Sequence, residues 1–251
     1  MADSMIRPFE TDAEKVAFAR EFLDRRRVLG FNKDIDICLT TSTKGNHAYM
    51  PALMTCMSFL DLLSGLRLGV VEGHGLDDFL DFMSEFAPRY DAWHLRILYV
   101  MVRHKLAHQG HPMFVLNTAT EPVRIGGPPM LLTWEFSKKD FEPSLSMRDL
   151  GGAHEITRQP VPWPVYCSHI FVVSIRALAN DAAKIADVYF EKLCTDRLLI
   201  DHFSKCMHEF YQRSGNSRIS NKDRKTQLAR QRVALKERRA SDAAGPPSTA
   251  R

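Results

Sequence analysis

The chain has 251 residues, 45% of them hydrophobic, and a formal net charge of +4, enough for one large domain or two small ones with a real apolar core. The opening segment MADSMIRPFETDAEK has no apolar stretch of the signal-peptide kind, and no apolar run approaches the roughly 20 residues that span a bilayer, so a soluble, cytoplasmic protein without a membrane partner is expected. Five scattered cysteines, Cys38, Cys56, Cys167, Cys194 and Cys206, contain no C-x-x-C pair, which argues against a disulfide framework or a Cys-rich zinc site and fits a reducing compartment.

In chain order, Thr11 and Glu14 have the spacing of a capping box, and Val16, Ala19, Phe22 and Leu23 then recur at helical intervals. Gly30 is the expected stop, followed by a loop over 31–46 with a short apolar piece at 35–39. A second helix is expected over 48–65, with Pro51 tolerated in its first turn. A third is expected over 76–86, ended by Pro88, and a fourth over 90–108. The fourth carries the longest apolar run of the chain, ILYVMV at 97–102, and belongs at the centre of a bundle. Gly110 and Pro112 stop it.

The period then changes. Segments 113–118, 130–136 and 169–174 read as strands of a small antiparallel sheet, with 137–165 as loop. Amphipathic helices follow over 175–193 and 196–211. Residues 213–251 hold eleven Lys or Arg against three acids, a balance of +8, while the rest of the chain carries −4. Within it, 221–240 reads as at most transiently helical, without an apolar face wide enough to dock, and the whole reads as a basic, disordered tail. The expected architecture is mainly α within an α+β class: one helical domain over 1–212, with its β-containing segment at about 113–174, and a tail over 213–251.

The chemistry concentrates where the fourth helix ends, in RHKLAH at 103–108. Counted at 100° per residue, Arg103 and His108 lie about 140° apart, so they do not stack, yet long side chains at a helix end can converge on one anion. Arg103 shares a stripe with Arg96, and His108 with His104. A histidine near its ordinary pKa can take the proton of a ribose 2′-OH or return one to the leaving 5′-oxygen. An arginine can hold the phosphate in a planar fork. Neither step requires a metal or another cofactor. A zinc reading of His104, His108 and His111 fails on the H-E-x-x-H pattern, because Lys105 stands at the Glu position. The plain structural reading of the cluster is cations on a helix C-terminus, but three His and an Arg exceed what capping needs. No G-x-S-x-G elbow or Walker loop is present.

RHKLAH resembles the R-x(4–6)-H signature of the HEPN superfamily, in which a polar residue, here His104, often follows the Arg. The resemblance implies a motif that closes a buried helix of an α-helical bundle. It implies a metal-independent endoribonuclease with Arg103 and His108 as the catalytic pair and His104 in support. It implies a homodimer with RNA across its cleft, and a role in defence or stress. It covers the motif and the helical region of about 12–110; the strands after 112 depart from the all-helical form. Lys105 would contact the RNA backbone. Arg96 would either line the same groove or pair with an acid such as Glu14, Glu21 or Asp24. Lys222, Arg224, Lys225, Arg230 and Arg232 would contact nucleic acid through sequence-independent charge. The alternative is a non-catalytic helical interaction module tethered to nucleic acid by its basic tail.

Overall fold

The computed structural model describes residue 9 and residues 11–40, 42–43, 46–104, 115–119, 129–156, 164–212 and 221–244. It is mainly α-helical with a small sheet. Helix α1, Asp12–Asp24, opens on the expected capping box: Thr11 Oγ1 accepts from Glu14 N (3.2 Å) and Glu14 Oε2 accepts from Thr11 N (3.1 Å). Its buried face is Ala19, Phe22 and Leu23.

Gly30 does not stop this helix. The chain continues through π-helical turns at Arg25–Phe31 into α2, Asn32–Thr40. A side chain at Gly30 would meet nothing within 4 Å, so Gly30 serves neither a left-handed cap nor a close approach. Packing overrides the local signal: Phe31 stacks on Phe59 with ring centroids 4.5 Å apart, and Ile35 and Leu39, one turn apart, are buried.

Helix α3, Tyr49–Leu68, is the axis of the bundle and packs against α2 and the helices described below. By length and composition it is apolar enough to cross a membrane, with a mean hydropathy of 1.3 over its best window. In this fold its apolar residues face other helices, and Leu53, Met57, Leu60 and Leu63 are fully buried. It ends at Gly69, whose φ of +76° favours glycine, with Val70 N returning to Gly65 O at 3.1 Å. Helix α4 is Leu76–Phe86 and α5 is Ala92–Ile97, capped by Asp91. Helix α5 runs on as π-helical turns over Leu98–His104. Ile97 to Val102 are all buried, as the apolar run required.

The sheet has the order β3–β4–β6–β5, from Leu116–Asn117, Leu131–Ser137, Tyr166–Ser174 and Leu145–Glu155, while β1 (Ser42–Thr43) and β2 (Asn46–His47) form a separate ribbon. The sheet is mixed, not antiparallel: β4 and β6 run parallel, with β5 antiparallel on the outer side of β6. Strand β5 occupies part of the segment expected to be loop. It is an edge strand with its second half exposed and a register shift between Asp149 and His154, so it carries no clean apolar alternation to read. Ser174 closes β6 and caps helix α6, Ile175–Leu193, accepting from Ala177 N at 3.2 Å. Helix α7 is Arg197–Gln212.

The expected disordered tail is a helix over Asn221–Ala244, α8, and it docks. Leu235 is 3% exposed against Leu68 and Val70, and Gln231 Nε2 donates to Gly69 O at 2.9 Å. Leu228 packs on the same apolar cluster, and ion pairs extend the interface. Arg232 makes a two-point contact with Asp78 (2.7 and 2.6 Å), Arg238 bonds Glu85 (2.7 Å) and Asp196, and Arg239 bonds Glu85 (3.2 Å). Arginine pairs replace the wide apolar face whose lack suggested disorder.

Candidate functional site

The helical segment 92–104, buried from Ile97 to Val102, delivers Arg103 to the edge of the core. Its guanidinium lies 5.3 Å from the centre of the Tyr99 ring, and its Nη2 donates to Asp61 Oδ2 at 2.7 Å. Arg103 stays 29% exposed while Asp61 is 14% exposed, so the pair sits at a boundary rather than in the interior. The 100° count that placed Arg96 and Arg103 on one stripe does not hold through Leu98–His104, because π-helical turns close each ring one residue later. Arg96 is half-buried.

Asp61 has a second neighbour. His74 Nε2 lies 3.3 Å from Asp61 Oδ1, at ion-pair distance without a formed hydrogen bond. Among the described residues neither ring nitrogen of His74 has a hydrogen-bond partner. Gly65 makes this placement possible: a Cβ there would stand 2.8 Å from Val70 O and 3.1 Å from His74 Cε1. The chain after α3 therefore folds back onto α3 and lays the His74 ring across it. Beyond the ring is a largely apolar cavity of about 330 Å³ walled by Phe22, Leu66, Val70 and Met207.

The electrostatics follow from these contacts. Burial pushes the Asp61 carboxyl up, but His74 and then Arg103 outweigh it and hold the group below its ordinary value. Burial works against the Arg103 charge, and Asp61 more than restores it. The Tyr99 hydroxyl is pushed up to about 12, by burial first and by Asp61 next. The site thus holds a permanent cation backed by a permanent anion.

His104 ends the helical segment. Lys105, His108 and His111 lie outside the described residues, as do the side chains of His104, Lys222 and Arg224. Lys225 and Arg230 are exposed on α8. Arg232, expected on nucleic acid, bonds the buried Asp78 carboxylate at two points and stays 44% exposed. Tyr99 packs tilted on Phe79 at 5.2 Å, and the Tyr90 hydroxyl bonds Asp181 and Ser144, so both rings are spent on the fold. Among the described residues no group of three His, Cys, Asp or Glu could hold a metal ion.

A second polar cluster joins the sheet to α6. Asp181 accepts from Tyr90, Ser144 (3.1 Å) and Arg89 beside a cavity of about 480 Å³. Its groups bond one another, which is the pattern of a structural tie.

Sequence reasoning missed Asp61 and His74. Asp61 had a legible signal, a lone acid inside the apolar helix 49–68, which demands a cation. His74 had none, because its place depends on the turn that Gly65 permits. No protein-family model, curated protein or solved structure matches the chain.

Proposed function

We propose that the chain is a metal-independent endoribonuclease of the HEPN kind, acting as a homodimer, with Arg103 as the phosphate ligand and His108 as the general acid/base. The observation that carries this reading is the state of Arg103. A guanidinium at the end of a buried helical segment is pinned by Asp61 and by the Tyr99 face, yet remains 29% exposed. A guanidinium has five N–H donors, and the Asp61 contact uses one of them. Such an arginine is oriented in advance for the extra charge of a pentacoordinate phosphate, where fixed donors act without reorganisation. His108 would take the 2′-OH proton as that oxygen attacks phosphorus. The P–O5′ bond would break, and the leaving oxygen would be protonated by a histidine of the site.

The alternative, a non-catalytic module tethered by its tail, loses support from α8. Arg232, Arg238 and Arg239 are bound to acids of the same chain, so the tail brings less free charge than its composition suggests. The test is RNA cleavage in EDTA by wild type, Arg103→Ala and His108→Ala, with folding checked by circular dichroism. Cleavage by wild type and a loss of at least about 100-fold in both variants is expected. Equal activity in all three refutes the reading.

A further inference from the structure

We propose that Asp61 and His74 are positioning residues for Arg103, forming a three-member chain in which His74 steadies Asp61 and Asp61 fixes the guanidinium for an RNA phosphate. This rests on the ribonuclease reading above and extends it to two residues outside the R-x(4)-H motif.

The three side chains come from three places in the chain: Asp61 from the middle of α3, His74 from the connection to α4, and Arg103 from the end of the π-helical segment. Each of the outer two touches a different oxygen of one carboxylate, Arg103 at Oδ2 (2.7 Å) and His74 at Oδ1 (3.3 Å). The Arg103 bond holds one oxygen of the carboxylate, and closing the His74 approach would hold the other, so that the carboxylate loses its rotation and the arginine on it loses most of its own. Tyr99 beneath the guanidinium removes a further degree of freedom.

The need for His74 follows from charge. When Arg103 takes up a phosphate, it shares its positive charge between two anions, and Asp61 repels the newcomer. A second donor on Asp61 relieves that repulsion and keeps the carboxylate in place. His74 suits this work and little else in the fold. It is 9% exposed, set in a mostly apolar wall, and its ring nitrogens have no hydrogen-bond partner among the described residues, an expensive arrangement for a side chain without a task. The gap of 3.3 Å closes to a hydrogen bond with a small turn of the ring, and such bonds tighten when substrate binds. Too enclosed to meet RNA itself, His74 acts only through Asp61.

The experiment has two arms on the full chain. In the first, a single-stranded RNA is cut in EDTA by wild type, Arg103→Ala, Asp61→Asn, Asp61→Glu, His74→Gln and His74→Leu, each confirmed folded. Misplacing the guanidinium should lower kcat about 10- to 100-fold in Asp61→Asn and about 10-fold in His74→Leu, with KM within about twofold. Asp61→Glu and His74→Gln, which keep the charge and a donor, should recover part of the rate. In the second arm, nitrogen-15 NMR follows rotation about the Arg103 guanidinium, assigned with Arg103→Lys. Rotation should be slow in wild type and fast in Asp61→Asn and His74→Leu.

If Arg103→Ala is dead while Asp61→Asn and His74→Leu cut like wild type, positioning is overturned and the ribonuclease reading stands. If wild type cuts nothing, the ribonuclease reading falls and the NMR arm decides separately. A guanidinium equally mobile in wild type and Asp61→Asn overturns the three-member chain whatever the activity.

Discussion

Glu85 offers the sharpest test of how this fold is held. It sits on α4, 7% exposed, and among the described residues it meets Arg67, Lys192, Arg238 and Arg239. Arg67 is 2% exposed, one of the largest fully buried side chains. Burial would raise the Glu85 carboxyl, but Arg67 and then Lys192 overcome it and bring the pKa to about 2, against 4.5 for an unperturbed group. A depressed carboxyl contributes stability that is fully present above about 4.5 and is lost as pH falls towards about 2. A shift of that size corresponds to roughly 3 kcal/mol at neutral pH. Burial opposes the Arg67 charge as well, so the pair's net gain is smaller than the loss from removing one partner. Glu85→Gln at pH 7 should therefore cost about 3 kcal/mol, or roughly 6–12 °C in Tm for a chain of this size. Circular dichroism melts from pH 7 down to pH 3 provide the assay. The wild type should lose stability steadily below about pH 4.5, and the variant should lose less over the same window. Adding Arg67→Met to Glu85→Gln should recover part of the loss, because the orphaned buried charge is gone. A Glu85→Gln melt within about 2 °C of wild type, or an unchanged acid dependence, would refute the reasoning.

Two further outcomes follow from the packing. Gly65→Ala places a Cβ 2.8 Å from Val70 O, so backbone must move; a loss of about 1–3 kcal/mol in urea unfolding is expected, and an unchanged midpoint would contradict the close approach. Arg232→Ala removes the two-point contact on Asp78 and should raise hydrogen exchange across α8 while lowering stability by about 2 kcal/mol; unchanged protection of α8 amides would show that the arginines do not hold it.

What the sequence determined by itself is local. The capping box at Thr11 and Glu14, the helices at Leu76–Phe86 and Ile175–Leu193, and the burial of Ile97 to Val102 follow from caps and from hydrophobic period, which depend only on near neighbours. The motif arginine was legible for the same reason, as a charge ending an apolar run. The tertiary structure decided what depends on distant partners. Helix α2 forms through Gly30 because Phe31 finds Phe59, and β5 exists because β6 offers it an edge. The parallel pairing of β4 with β6 requires a crossover that no local pattern announces. Helix α8 folds because Asp78, Glu85 and Asp196 await its arginines far along the chain. The candidate site divides along the same line: Arg103 is written in its own helix, whereas Asp61 and His74 join it only because α3, its turn at Gly65 and the π-helical segment close on one another. An ion pair leaves no period in the sequence, and only the packing of its helices selects the partner.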